Sequence, residues 1–108
     1  MSSITNNEIN YDQRYVGFYF KRTDTGEKRY IYVPVNICIA NFIEYVKTKS
    51  YSEFNIDRRF RIQVVEAGQE HQNMRSEDAP AIERDFNTTI RQKYNGIYED
   101  KSFYIRII

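Results

Sequence analysis

His71 is the one histidine and Cys38 the one cysteine of the chain, so a Cys–His nucleophile pair could be drawn only from these two. His71 stands in the polar run Glu70-His71-Gln72, with no nucleophile motif around it. Cys38 falls near the start of an expected helix, where the ordinary role is that of a small half-buried residue. Together they cannot furnish the ligands of a structural zinc site, and a lone cysteine forms no internal disulfide. No Gly-rich phosphate loop is present. The paired acids Glu77-Asp78 and Glu99-Asp100, with Glu83 and Asp85, fall in expected caps, turns or helix surface and need no chemistry. The expectation is therefore a non-enzymatic chain with no metal and no cofactor. What remains able to do chemistry is recognition by tyrosine and arginine, which present large rigid surfaces with a polar end and dominate binding hot spots.

Strands must position those side chains. Tyr15-Val16-Gly17-Phe18-Tyr19-Phe20-Lys21 alternates, with Val16, Phe18 and Phe20 on one face and Tyr15, Tyr19 and Lys21 on the other. Thr23-Asp24-Thr25-Gly26 predicts a hairpin turn. Arg29 to Val35 alternates again, Ile31, Val33 and Val35 inward and Tyr30 and Tyr32 outward; Pro34 makes it an edge strand or ends it. From Asn36, a plausible cap, the period becomes helical: Ile39, Phe42, Ile43 and Val46 form one stripe, with Lys47 and Lys49 suited to the C-terminal dipole. Tyr51 to Asp57 reads as a polar connection. Arg59 to Val65 is a third strand with Phe60, Ile62 and Val64 inward, closed by Gly68, and 69 to 77 reads as a loop. Asp78-Ala79-Pro80 starts a second helix over 79–93, with Ile82, Phe86 and Ile90 on one face and Asn95-Gly96 as its stop. Ser102 to Ile108 is the last strand, with Phe103, Ile105 and Ile107 inward.

At 108 residues the chain is one domain, read as 13–108 behind a polar, flexible tail over 1–12. Leucine is absent and isoleucine takes its place, which favours strands; 10 Tyr and 7 Phe supply much of the core that a disulfide or zinc would otherwise reinforce. The excess of Ile, Asn, Tyr, Phe and Lys fits an AT-rich coding sequence, as in a virus or a protist. With no apolar run near the roughly 18 residues a span requires, and no apolar centre to the N-terminus, the expected location is cytoplasmic or nuclear, or a virion. The net charge of +1 offers no basic arm.

Hairpin, helix, strand, irregular segment and final strand is an element order that resembles the ubiquitin-like, β-grasp superfamily. The resemblance covers roughly 14–108 and rests on YIYVPVNICIANFIEYV, FRIQVVEAG and SFYIRII. It implies an α+β fold of ββαβαβ order, with a mixed four-stranded sheet (2-1-5-3) packed on one main helix and a second helix before the last strand. Conjugated members end in Gly-Gly; this chain ends Arg106-Ile107-Ile108, so the expectation is a non-conjugated relative. Val65 and Tyr104 align with positions of ubiquitin's apolar recognition patch, while Arg106 replaces an aliphatic residue there.

The outer face of such a sheet collects Tyr15, Tyr19, Tyr30, Tyr32, Arg59, Arg61, Gln63, Val65, Tyr104 and Arg106. The function expected is an adaptor or protein-interaction domain binding a protein partner through the Tyr/Arg members of this face. Tyr and Arg are also good formers of a merely solvated strand. Three other readings stand beside it: a structural or assembly component of a larger particle, a viral one included; a single-stranded nucleic-acid binder that stacks bases on its aromatics; and a small-GTPase-binding module using the basic edge Arg29 to Val33 with Lys21, Arg22 and Lys28.

Overall fold

The computed structural model describes residues 15–67, 80–94 and 102–108, so the expected tail over 1–12, the loop over 69–77 and His71 lie outside the described residues. The fold is α+β. β1 (Tyr15–Arg22) and β2 (Lys28–Pro34) form an antiparallel hairpin, α1 (Ile39–Glu53) follows, then β3 (Ile62–Ala67), α2 (Ile90–Tyr94) and β4 (Ser102–Ile107). The strands hydrogen-bond in the order β2-β1-β4-β3. β4 runs parallel to β1, Phe20 beside Phe103, and antiparallel to β3, Val64 beside Ile105.

Alternation in β1 and β2 has its expected result: Phe18, Phe20, Ile31 and Val33 are buried, while Tyr15, Tyr19, Tyr30 and Tyr32 face solvent. Gly26 closes the hairpin at φ 77°, a left-handed conformation that a side chain would disfavour. Its N–H donates to the Arg22 carbonyl at 2.9 Å. The Arg22 guanidinium grips both carboxylate oxygens of Asp24, at 2.9 and 2.7 Å. That pairing raises the pKa of Arg22 and lowers that of Asp24. The Arg22 N–H also donates to the Glu27 carbonyl, which makes the 22·27 pair a hydrogen-bonded one. Counting along the register, the N–H groups of Arg29, Ile31 and Val33 point at β1 and those of Lys28, Tyr30 and Tyr32 at the open edge. Pro34 falls on that open side, where its missing N–H removes no ladder bond.

α1 buries the expected stripe of Ile39, Phe42, Ile43 and Val46 against the sheet. It starts at an N-cap on Cys38, not Asn36, and it runs past the expected end, to Glu53. Ser50 is small enough to sit inward, fully buried, with its hydroxyl donating to the Val46 carbonyl at 2.7 Å. The stop comes from Asn55 at φ 57°, with the Ile56 N–H returning to the Tyr51 carbonyl and the Asn55 N–H to that of Ser52, a left-handed C-terminal cap. The stretch from Tyr51 to Asp57 is therefore helix end and core, since Phe54 and Ile56 are buried. Lys47 and Lys49 lie short of the last turn; Lys47 pairs with Glu44 and Lys49 lies over the ring of Tyr45.

The second helix is corrected most. Of the described residues 80–94 only Ile90–Tyr94 is helical, and 81–89 is irregular, while the expected start at Asp78-Ala79 and stop at Asn95-Gly96 lie outside the described residues. Its backbone is engaged elsewhere: the carbonyls of Thr88 and Asp85 accept the Ile39 and Ala40 N–H groups at 2.9 and 3.0 Å, capping α1, and the Ile82 N–H donates to Val64. Asp85 also folds its carboxylate onto the Asn87 N–H at 2.8 Å, and backbone N–H donation to that carboxylate lowers its pKa. Phe86, expected inward, is 66% exposed. α2 begins instead at a reciprocal cap, in which the Thr89 hydroxyl accepts from the Gln92 N–H and the Gln92 amide oxygen accepts from the Thr89 N–H.

Phe60 is also corrected. The turn at 57–60, closed by the Phe60 N–H on the Asp57 carbonyl, delays β3 to Ile62 and leaves Phe60 44% exposed. The core is aromatic at its centre. Phe18 packs edge-on to Phe103 at 4.9 Å between centroids, and lies 5.4 Å from Phe42, 6.1 Å from Phe20 and 6.2 Å from Tyr94. Tyr94 is buried, and its hydroxyl donates to the Glu66 carboxylate at 3.0 Å. Burial first, then the neighbouring carboxylate, pushes this phenol far above its ordinary pKa.

Candidate binding face

α1 covers one face of the sheet, and the hairpin supplies the residues of the other. β1 contributes Tyr15, Gly17, Tyr19 and Lys21 at alternate positions; opposite them β2 sets Pro34, Tyr32, Tyr30 and Lys28. Tyr19 and Tyr30 are directly opposed with ring centroids 4.5 Å apart, and Tyr30 meets Tyr32 edge-on at 5.2 Å. Each of the four tyrosines stays 48–62% exposed, although two ring contacts tie three of them together. Gly17 makes this arrangement possible. A Cβ built there would lie 2.9 Å from Tyr32 Cε1 and 3.2 Å from the ring of Tyr30, so both rings occupy the space above the glycine.

Gly17→Val is therefore expected to act on the rings and not on the fold. The atoms it meets are exposed ring edges that can swing away, and valine recovers strand preference, so unfolding free energy should change by less than about 1 kcal/mol. The near-ultraviolet circular dichroism of the tyrosines should change clearly in the same sample. An unchanged tyrosine spectrum would mean that the rings do not rest on Gly17.

The rim of this platform is cationic. Lys21 and Lys28 stand opposite each other, Lys28 with its ammonium 5.9 Å from the centroid of Tyr19. The hairpin's acids are engaged elsewhere, Asp24 by Arg22 at 2.7 Å and Glu27 by Arg29 at 2.6 Å. No ion pair is formed by Lys21 or Lys28 among the described residues. Arg29, expected to make the edge basic, instead donates to the Glu53 carbonyl and lies over Phe54.

The other half of the sheet is different. Tyr104 stands beside Lys21 and is half-buried. Arg106 directs Nε and Nη2 to the Gln63 amide oxygen at 2.9 and 2.7 Å across the β3–β4 pair. Arg61 is exposed just before β3, its carbonyl accepting from the Ile108 N–H. Arg59 leaves the face altogether: it belongs to the 57–60 turn, pairs with Asp57 at 3.4 Å and lies over Phe60. Val65 keeps the outward register but is 0% exposed, bridged by Ala81. Of the expected face, then, Tyr15, Tyr19, Tyr30 and Tyr32 share one side of the hairpin, Tyr104 stands beside Lys21, Arg106 is held by Gln63, Arg59 is displaced and Val65 is covered. Gly17 and Lys28 join the face beside Lys21, which alternation already places there; the same alternation with the tyrosines was the signal for both.

Cys38 is half-buried at the start of α1, against Thr89. Among the described residues no group of His, Cys, Asp and Glu could hold a metal ion, and no helix is long and apolar enough to cross a membrane. The face has rigid amphipathic rings and two cations, which suits recognition. No protein-family profile, curated protein or solved structure matches the chain.

Proposed function

We propose that this chain is a non-enzymatic, ubiquitin-like protein-interaction domain of β-grasp type whose partner-binding face is the tyrosine half of the sheet. The β2-β1-β4-β3 order, with a parallel central pair and α1 across one side, supports the fold reading. The functional reading rests on one observation: four exposed tyrosines of one hairpin share the side of the sheet the main core does not use, three of them in ring contact and two of those over a glycine. Tyrosine gives such a surface large contact area at small entropic cost, since its ring has few rotatable bonds.

The test is Tyr19→Ser with Tyr30→Ser, which removes the opposed pair. The lost cross-strand contact costs about 0.2–1 kcal/mol, so the variant should stay folded. Quantitative pull-down from an extract of the source cells, compared between wild type, this variant and Gly17→Val, should show the same proteins depleted in both variants. Capture that is identical in all three samples, with folding intact, would reject the tyrosine face and favour the role of an assembly component that uses other surfaces.

A further inference from the structure

We infer that the segment received by the tyrosine face is an extended acidic peptide, with carboxylates against Lys21 and Lys28 and apolar or aromatic side chains on Tyr19, Tyr30 and Tyr32. This rests on the reading of that face as a protein-binding surface and adds the chemistry of the partner. Lys21 and Lys28 form a like-charged cross-strand pair at a non-hydrogen-bonded position, where Cβ atoms stand about 5 Å apart. Lys28 leans over the Tyr19 ring while the Lys21 chain runs toward the Gly26 turn, so two cations flank this end of the platform, and each carboxylate of the hairpin is held by an arginine. Among the described residues the pair has no acidic partner and forms a positive point at one end of the tyrosine platform. A carboxylate placed at this end of the platform would gain from both cations.

The distribution of charge selects a peptide over nucleic acid. A single strand carries a phosphate per nucleotide and is tracked by cations along its whole path. Among the described residues the positive charge of this platform sits at its turn end, and the far end is Tyr15 opposite Pro34. The guanidinium of Arg106, the next cation on this side of the sheet, is directed to Gln63.

Selection of a displayed library of random short peptides on the full 108-residue chain would test this. Peptides rich in Asp and Glu beside aromatic or aliphatic residues should be enriched. By fluorescence polarisation, a labelled selected peptide should lose about tenfold in affinity against Lys21→Glu with Lys28→Glu. Raising ionic strength from about 0.05 to about 0.5 M should weaken wild type and leave the reversed variant nearly unaffected. Urea unfolding of each variant controls for folding. Enriched peptides without acidic bias, or binding indifferent to charge reversal yet lost in Tyr19→Ser with Tyr30→Ser, would overturn the acidic partner and leave the binding face standing. Binding indifferent to the tyrosine substitutions as well would overturn both. Tighter binding of labelled oligothymidylate than of any selected peptide, lost on charge reversal, would also overturn the peptide assignment.

Discussion

Phe18→Ala is expected to remove about 3–5 kcal/mol of unfolding free energy, the cost of deleting a large buried ring whose neighbours cannot collapse into the space. Phe18 is the ring that four others share: Phe20, Phe42, Tyr94 and Phe103 all have centroids within 6.2 Å of it. They come from β1, α1, α2 and β4, so the substitution loosens every layer at once. Domains of this size have roughly 5–15 kcal/mol in all, and the melting temperature should fall by roughly 10–30 °C. Urea denaturation gives the free energy directly, and Val16→Ala, on the same face but only partly buried, should cost much less. A loss below about 1 kcal/mol for Phe18→Ala would mean that the aromatic centre does not hold the fold.

Tyr94→Phe should cost about 1–2 kcal/mol at neutral pH by removing the hydroxyl that donates to Glu66. Its larger consequence is at alkaline pH. In the native chain the Tyr94 phenol is held well above its ordinary value of 10.0, because burial and the Glu66 charge disfavour the phenolate. In the unfolded chain it ionises near 10. The un-ionised native form is therefore fully stabilising below pH 10, and that contribution is lost as pH rises beyond it, by about 1.4 kcal/mol per pH unit. The phenylalanine variant has no proton to lose there. Urea unfolding between pH 8 and pH 11 (roughly the window bracketing the unfolded value) should show the wild-type advantage constant up to about pH 9.5 and mostly lost by pH 11. A difference between the two proteins that stays constant with pH would place the Tyr94 phenol outside the hydrophobic interior.

Local periodicity made β1, β2, the stripe of α1 and the inward Phe103 and Ile105 legible in the sequence, because each follows from alternation or helical spacing within a few residues. The departures at the second helix and at Val65 share a cause, which is competition for backbone groups by distant segments. Ile82, Phe86 and Ile90 do have helical spacing, but the carbonyls of Asp85 and Thr88 cap α1, a demand invisible in their own window. Val65 has the outward parity expected of it and is covered by Ala81, again from afar. Three departures had local signals. Asn55 before Ile56 is a left-handed helix stop, and Thr89-Ile90-Arg91-Gln92 is a capping box that starts α2 where it does start. Asp57, which turns the chain back and exposes Phe60, was likewise a readable turn residue. For the face, the tyrosines were legible by parity, and the arginines less so. Arg59 lies in a turn, and Arg106 is engaged by Gln63 across a pairing that only the sheet order creates.

That order has a consequence in time. β4 is the strand that touches both β1 and β3, so before it is in place the hairpin and β3 have no ladder in common. A chain emerging from the ribosome, at about 5–20 residues per second, completes the β1–β2 hairpin and α1 long before Phe103 exists to close over Phe18 and Phe20. During that interval the ring cluster is open along one side. The nascent chain, more than the finished protein, is the form in which this domain is exposed to aggregation. Ribosome-bound chains stopped just before Ser102 should accordingly bind an apolar reporter dye that chains extended past Ile108 do not.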